Sequence, residues 1–200
     1  MAKTDCPLQP ILDEVLAVAT MEAAKKSLSL QVAYSLPVPA TVYTDPARLR
    51  QILMNLVGNA VKFTERGEVR LTVRCRESGE GTAQVQFVVS DTGIGIPSAM
   101  LAEIFLPFVQ VDGGNARSYG GTGLGLSICQ RLAQMLDGRI EVTSEVGRGS
   151  TFTLTVDGGP WRNTPDQGAS PPPSHGRGHR CRARCRAESR AAGSRPARGR

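Results

Sequence analysis

The sequence predicts an α+β domain, a two-layer sandwich in which helices cover one face of a mixed or antiparallel sheet. Two observations favour this class, and a third marks where the domain ends. Segments of helical periodicity and segments of alternating apolar residues follow one another along residues 1–156. The predicted strands come in adjacent pairs and do not alternate one-to-one with helices, which disfavours a doubly wound parallel sheet. After Val156, the sequence contains no Val, Ile, Leu, Met, Phe or Tyr.

The first part of the domain predicts two helices with a strand between them. Apolar residues at helical spacing predict a helix over 8–26, and alternating apolar residues predict a strand over 28–34. Asp45 is a favourable N-cap, and the proline that follows it suits the first helical position. A second helix is therefore predicted over 46–62.

For the second part of the domain, the sequence predicts four strands, two helices and one long loop. Glycine-containing turns separate these elements. In chain order they are strands at 68–76 and 83–90, a turn at 91–97, a short helix near 98–104, a loop over 107–122, a helix over 124–136, and strands at 139–144 and 150–156. A loop of that length inside a compact domain is typical of a functional segment or a disordered one.

Charge and cysteine content exclude several classes of protein. The 200 residues carry a net charge of +6, but ten of the 24 basic residues and only three of the 18 acids lie in 157–200. The folded part therefore gives no reason to expect a specific nucleic-acid partner. No apolar run is long enough to cross a membrane, and no secretory signal precedes the domain. Five irregularly spaced cysteines indicate a reducing compartment, so we expect a cytoplasmic protein.

The composition divides the chain into a domain at 7–156 and a tail at 157–200. The tail consists largely of Gly, Pro, Ser, Ala and Arg, with Trp161 as its only large apolar residue. Such a segment cannot bury enough surface to offset the entropy of ordering. We therefore expect the tail to be disordered. An out-of-frame extension is another explanation of its composition.

A polar face on the helix 46–62 is the first candidate for binding chemistry. Asn55, Asn59 and Lys62 lie within about 60° of one another around the helix axis, apart from the apolar stripe. An asparagine oxygen can ligate Mg²⁺, and a lysine can contact phosphate. The alternative is a solvated helix face with two ordinary asparagines.

Two glycine-rich segments are further candidates. Asp91, Gly93 and Gly95 follow a predicted strand, where a carboxylate can accept a hydrogen bond from an exocyclic amine; the alternative is a simple turn. Glycines clustered over 120–125 precede a helix, and backbone N–H groups there can hold phosphate. The alternative is a flexible hinge. The segment fits neither the P-loop nor the dinucleotide-binding pattern.

A fourth segment joins the last two predicted strands. Gly147, Gly149, Ser150 and Thr151 are adequately explained by a hairpin turn when considered alone. Thr151 becomes a candidate only in the company of the other three segments.

Taken in order, these segments resemble the catalytic ATP-binding domain of sensor histidine kinases. Asn55, Asn59 and Lys62 match the N box of that family, and the other motifs match its G1, F, G2 and G3 boxes. These are Asp91-x-Gly93-x-Gly95, Phe105-x-x-Phe108, Gly121-Thr122-Gly123-Leu124-Gly125 and Gly147-x-Gly149-Ser150-Thr151. The resemblance covers about residues 7–156. It implies the Bergerat fold, a mixed sheet with helices on one face.

The resemblance implies a role for each matched residue. Asn59 would coordinate Mg²⁺ on the ATP phosphates, and Lys62 would contact phosphate. Asn55 stands where hydrolases of the superfamily have a catalytic glutamate, and an amide cannot act as a base for water. Asp91 would bind the adenine amino group. Residues that would shape the base pocket are Gly93, Gly95 and Thr151.

The glycine-rich loop and the segment before it would hold the triphosphate. The backbone N–H groups of Gly121, Gly123 and Gly125 would bind phosphates, in a cofactor-binding stretch that includes Thr122 and Leu124. The loop 107–122 would be a mobile ATP lid with Arg117 available to the phosphates. Phe105 and Phe108 would anchor that lid on the core. Transfer of phosphate needs mainly positioning and charge stabilisation, which this set would supply.

Two departures from the family pattern concern the phosphoacceptor and the F box. Leu106 stands where the F box usually has an acid. The only histidines, His175 and His179, lie in the tail. The expected phosphoacceptor is therefore a histidine in a dimerisation domain, in trans or on a missing N-terminal region, with a response regulator downstream. We expect no autophosphorylation by this chain alone. The alternatives are an anti-sigma-type serine kinase and a non-enzymatic fragment that binds ATP or a partner.

Overall fold

The computed structural model describes residues 3–35, 38–77, 81–110 and 122–160. Three α-helices and seven strands are present in these ranges. In chain order they are β1 (Thr4–Pro7), α1 (Leu8–Lys25), β2 (Ser29–Ser35), β3 (Thr41–Thr44), α2 (Pro46–Phe63), β4 (Glu68–Glu77), β5 (Thr82–Asp91), α3 (Gly125–Met135), β6 (Arg139–Glu145) and β7 (Gly149–Pro160).

The main sheet has five strands in the order β2-β4-β5-β7-β6. Strands β2 and β4 are parallel, and every other neighbouring pair is antiparallel. Alternate residues of the central strands are buried, including Val85, Phe87 and Val89 on β5. The helices pack on this apolar face, with α2 between α1 and α3. The predicted α+β sandwich with a mixed sheet is confirmed.

Helix α2 is the element on which the candidate site is built. The Asp45 carboxylate caps its N-terminus by accepting the backbone N–H of Arg48 at 3.3 Å, and Pro46 takes the first helical position. One stripe of the helix is buried completely against the sheet, and it consists of Leu49, Ile52, Leu53 and Leu56. The opposite flank is left to carry polar side chains. The packed stripe therefore fixes the rotation of Asn55, Asn59 and Lys62 about the helix axis.

A small second sheet was missed by the sequence analysis. Strands β1 and β3 form an antiparallel pair of four residues each, with Cys6 opposite Val42. Both residues are buried, whereas their neighbours along the strands are largely exposed. Four residues that include a proline and an aspartate are too short and too polar to show an alternating pattern.

Two predicted boundaries differ from the structure. In place of the helix predicted near 98–104 there is a 3₁₀ turn over Ser98–Met100, in which Met100 and Leu101 donate their N–H groups to carbonyls three residues earlier. Strand β7 continues to Pro160, four residues into the segment assigned to the tail, and Asp157 pairs there with Gln84. Backbone pairing between strands does not require apolar side chains, so the loss of apolar residues after Val156 does not mark the end of β7. The rest of the predicted tail, 161–200, lies outside the described residues.

A helix that crosses a bilayer needs about 20 consecutive, mostly apolar residues. No helix in the four described ranges is long and apolar enough to do so.

Candidate nucleotide-binding site

The loop after β5 is fastened to the C-terminal end of α2. The backbone N–H of Ile94 donates to the Phe63 carbonyl at 3.3 Å. A Cβ placed on Gly93 would lie 2.4 Å from that same carbonyl oxygen, so only glycine permits this approach. The aspartate that follows the strand and the asparagine-bearing helix therefore border one common site.

Asp91 lies at the end of β5 with its carboxylate partly buried. Its Oδ1 atom accepts the backbone N–H groups of Gly93 at 2.8 Å and Ser150 at 3.3 Å. Burial raises the pKa of this carboxyl above 3.8, and the two N–H donors oppose that rise. Both bonds use Oδ1, which leaves Oδ2 as the oxygen that can accept an amine donor from a ligand.

The turn between β6 and β7 closes against the same loop. Gly149 has a φ of +106°, and a Cβ on it would lie 2.0 Å from the Asp91 carbonyl oxygen. Gly95 has a φ of +72°, and a Cβ there would lie 2.1 Å from the Glu145 carbonyl oxygen. The two glycines allow backbone to pack on backbone, which holds the loop around Asp91 in place.

Three serines complete this end of the site, and two of them, Ser90 and Ser144, are not among the residues predicted from the sequence. The Ser144 hydroxyl accepts the N–H of Ile96 at 2.8 Å and lies 2.9 Å from the Gly149 carbonyl and 3.0 Å from the Ser150 hydroxyl. The Thr151 hydroxyl donates to the hydroxyl of Ser90 at 3.1 Å. A serine on a strand carries no distinctive spacing, so only the three-dimensional pairing of β5, β6 and β7 identifies Ser90 and Ser144.

The two asparagines of α2 contact each other and the start of α3. The Asn59 amide nitrogen donates to the Asn55 Oδ1 atom at 3.0 Å. A Cβ on Gly125 would lie 2.5 Å from the Asn55 amide nitrogen, so the first residue of α3 sits directly against this side chain. Lys62 follows one turn later, with its ammonium group 4.9 Å from the centre of the Phe63 ring. The N box therefore meets the end of the glycine-rich segment at Asn55, while Asn59 and Lys62 follow on the same face of α2.

This donor set suits a magnesium ion that is bound mainly by phosphate and water. Among the described residues, no three His, Cys, Asp or Glu side chains cluster as a metal site. The Asn59 amide nitrogen is used in its bond to Asn55, so its oxygen is the atom that can ligate a cation. Mg²⁺ commonly takes one or two protein oxygens together with substrate phosphates, and Asn59 fits that pattern.

The segment that begins at Phe105 corrects one expectation. Phe105 packs against the core, but the side chain of Phe108 is 75% exposed and its φ is +67°. Phe108 is therefore not an aromatic anchor on the core, and that expectation was wrong. Its backbone makes the contact instead: the Phe108 N–H donates to the Gly123 carbonyl at 3.0 Å. This bond joins the two ends of the predicted lid.

The remaining predicted residues are placed only in part. Thr122 is exposed, and Leu124 forms the N-cap of α3, where its carbonyl accepts the Ser127 hydroxyl at 2.9 Å. Gly123 has a φ of +68° and packs on the backbone of Phe108. Arg117 and Gly121 lie outside the described residues, so their predicted contacts with phosphate remain predictions.

Comparison with known proteins defines the class of this chain. A family model described as "Histidine kinase-, DNA gyrase B-, and HSP90-like ATPase" matches residues 44–160, more than half of the chain. The chain belongs to this family. Its fold is that of the ATP-binding catalytic domains of histidine kinases, as the solved structures that it resembles make clear.

Two of these structures show the likeness at the level of the fold. ShkA, solved at full length in complex with AMPPNP, is 36% identical, with a TM-score of 0.67 over 80% of this chain and 32% of that chain. The nucleotide-free catalytic domain of the histidine kinase ThkA is 26% identical, with a TM-score of 0.63 over 80% of this chain and 100% of that chain.

Curated relatives are much longer than this chain. The aerobic respiration control sensor protein ArcB of Escherichia coli is 46% identical over 140 residues, which are 70% of this chain and 18% of ArcB. The hybrid signal transduction histidine kinase B of Dictyostelium discoideum is 38% identical over 154 residues, 77% of this chain and 8% of the relative. The chain thus spans less than a fifth of either relative.

Proposed function

We propose that this chain is the catalytic domain of a two-component sensor histidine kinase. It transfers the γ-phosphate of ATP to a histidine on another chain or on a dimerisation domain outside this sequence. The observation that carries the proposal is the meeting of four sequence-distant segments: the C-terminal half of α2, the loop after β5, the start of α3 and the turn between β6 and β7. Asn55 contacts Gly125, Phe63 contacts Gly93, and Asp91 contacts Gly149 and Ser150.

In the proposed complex, Asp91 accepts the adenine amino group at the base end of the site. The partly buried position of its carboxylate favours a directed hydrogen bond over solvation by water. Gly93, Gly95 and Thr151 shape the surrounding pocket. The relative ShkA was solved with AMPPNP, an ATP analogue, which supports a nucleotide ligand for this fold.

At the phosphate end, Asn59 and Lys62 are the side chains of α2 that interact with the charged triphosphate and its cation. Asn59 would hold Mg²⁺ through its amide oxygen, and the cation would supply positive charge against the phosphates. Lys62 and Arg117 contact phosphate oxygens, and the backbone N–H groups of the segment 121–125 bind the remaining ones. The first turn of α3 begins at Gly125, beside Asn55, which supports a common phosphate site for α2 and the start of α3.

Asn55 favours transfer of phosphate over hydrolysis. Its carboxamide cannot remove a proton from water at neutral pH, and its contacts with Asn59 and Gly125 hold it in place. ATP bound at the site is then preserved until a phosphoacceptor arrives. The acceptor is supplied by a histidine-containing dimerisation domain, and a response regulator receives the phosphate from it. These partners place the protein in the cytoplasm.

The first test is Mg²⁺-dependent ATP binding, measured by calorimetry on the full chain. We expect saturable binding that Asp91→Asn and Asn59→Ala each abolish or weaken at least about 100-fold, because the first removes the acceptor for the adenine amine and the second removes the proposed magnesium ligand. Circular dichroism confirms that the variants are folded. Absence of ATP binding by the folded parent chain would remove the kinase proposal.

The second test identifies the acceptor. The chain is mixed with γ-³²P-ATP and a separately purified histidine-kinase dimerisation domain, together with a variant of that domain whose acceptor histidine is replaced by Gln. We expect acid-labile phosphate on the histidine-bearing domain only, and none on this chain when it is incubated alone. Acid-stable phosphate would assign the serine-kinase alternative. ATP binding without any transfer would assign a non-enzymatic fragment.

A further inference from the structure

Lys26 connects the end of α1 to the end of α2. Its ammonium nitrogen donates to three backbone carbonyls there, at 2.9 Å to Val61, 2.6 Å to Lys62 and 3.2 Å to Thr64. The side chain is half-buried. An ammonium group has three hydrogens to donate, so one lysine can serve several carbonyls at once.

This contact replaces an ordinary helix C-cap. Helices α1 and α3 end with backbone N–H groups that return to their last carbonyls. Helix α2 instead runs into Thr64, whose backbone is extended at φ −101° and ψ 122°. The final carbonyls of a helix lack partners within the helix and carry partial negative charge. The Lys26 side chain donates hydrogen bonds to these carbonyls and also places a positive charge beside their partial negative charge.

The turn that Lys26 holds is the part of α2 that faces the base-end loop. Phe63 lies between two of the carbonyls bound by Lys26, and its own carbonyl accepts the Ile94 N–H at 3.3 Å. The same carbonyl is the atom against which Gly93 packs. A displacement of this turn therefore moves Lys62 and loosens the loop that follows Asp91.

We propose that Lys26 is a positioning residue for the nucleotide site, which acts by bonding the three carbonyls at the end of α2. Through them it sets the place of Lys62 and of the Ile94 loop. This inference rests on the proposed function for its effect on ATP, but its effect on the loop can be measured without any ligand. Lys26 itself does not contact the nucleotide.

The test compares Lys26→Met with Lys25→Met. Lys25 is the preceding residue and pairs with Glu22, 2.6 Å away on the exposed face of α1, so it is a matched control. Hydrogen exchange of the unliganded chains is followed at the Ile94 amide, with amides of β5 as an internal reference. We expect Lys26→Met to accelerate exchange at Ile94 about tenfold relative to β5, and Lys25→Met to leave it unchanged.

ATP affinity supplies the second measurement, made well below the melting temperature of each variant. We expect Lys26→Met to weaken Mg²⁺-ATP binding about tenfold and Lys26→Arg, which keeps the charge and the donors, to restore most of it. A general loss of stability would speed exchange at Ile94 and in β5 alike and would not change the affinity of the folded fraction. That result would overturn the proposal.

The two measurements fail in different ways. If the parent chain does not bind ATP, the proposed function fails, while exchange at Ile94 still decides whether Lys26 holds the loop. If Lys26→Met does not fold, Lys26→Gln replaces it, because glutamine keeps a donor and loses the charge. Lys26→Gln is then expected to accelerate Ile94 exchange and weaken ATP binding at least about threefold. Exchange and affinity equal to those of the parent would overturn the proposal.

Discussion

The base end and the phosphate end of the candidate site are held in different ways. At the base end, Asp91 receives two backbone N–H groups, and Gly93, Gly95 and Gly149 each bring backbone onto backbone. At the phosphate end, in the ranges that the structure describes, only Gly123 brings backbone onto backbone, where it packs on Phe108 and accepts its N–H group. The contact of Gly125 is with the tip of the Asn55 side chain.

Because of this difference, we expect substitutions at the phosphate end to change ATP affinity without changing stability, whereas substitutions at the base end change both. The base end is continuous with the hydrogen-bonded strands β5, β6 and β7, so a change there disturbs the fold and the ligand site together. At the phosphate end, a side chain such as that of Asn55 can move without unfolding anything. Changes there are expected to alter ATP affinity while stability is kept.

The largest effect is expected from Gly149→Ala. Its Cβ would lie 2.0 Å from the Asp91 carbonyl, and a φ of +106° is strained for any residue with a side chain. We expect a loss of stability of about 3 kcal/mol or more, measured by urea unfolding, together with loss of ATP binding. Gly147→Ala is the matched control, since φ is +78° there but nothing lies within 4 Å. It is expected to cost only about 1 kcal/mol. Equal costs would show that the backbone contact does not matter.

Asp91→Asn is expected to have the next largest effect on ATP binding. It removes the negative charge of the side chain and keeps its size and shape. ATP affinity should fall about 100-fold or more, because the amide of the variant meets the adenine amine with a donor instead of an acceptor.

Although Asp91→Asn should weaken ATP binding, it should not lower the stability of the chain at pH 7. Burial raises the pKa of Asp91 above 3.8, so the folded chain holds this proton more tightly than the unfolded chain does. The resulting stabilisation is present at low pH and is lost as pH rises through the raised pKa. At pH 7 the charged form is the less favourable one, so the neutral variant should melt no lower than the parent. A lower melting temperature at pH 7, with equal temperatures at pH 3, would contradict this assignment.

The base end was the more predictable of the two ends from sequence. Asp91, Gly93 and Gly95 stand at fixed spacing after an alternating strand, and each marks a local backbone requirement that a sequence can display. Ser90 and Ser144 could not be found in this way. Their role depends on which strands become neighbours, and β5 pairs with β7 some sixty residues away.

Long elements were predictable where burial imposes a period, and short ones were not. Helix α2 agrees with its predicted range to within one residue, because its buried stripe and its Asp45 cap are both local signals. The β1–β3 pair has four residues in each strand, so it cannot display a period. Phe108 misled for a different reason: an aromatic residue predicts burial, whereas here the backbone at φ +67° makes the contact and the ring is exposed.

Gly125→Ala tests the phosphate end and should have a moderate effect on binding alone. The added methyl group would meet the Asn55 amide at 2.5 Å, and that side chain can shift to accommodate it. We expect ATP affinity to fall about tenfold, with stability equal to or above that of the parent, because alanine is a better helix former than glycine.

Gly58→Ala in α2 is the control for the effect of alanine on a helix. A Cβ at position 58 meets nothing within 4 Å, so this variant should gain stability of up to about 1 kcal/mol and keep its ATP affinity. If Gly125→Ala unfolded the chain, the two ends of the site would be equally rigid and the comparison between them would fail.

The smallest effect is expected at Phe108, and it is measured against Phe105. Phe108→Ala should change the free energy of unfolding by no more than about 0.5 kcal/mol, because the ring is 75% exposed. Phe105→Ala should cost about 2 kcal/mol, since that ring packs against the core. Phe108→Gly should be about as stable as Phe108→Ala or up to about 1 kcal/mol more stable, because glycine adopts the positive φ without steric cost. If Phe108→Ala were as destabilising as Phe105→Ala, the ring would be buried in solution and the phosphate end would be anchored as firmly as the base end.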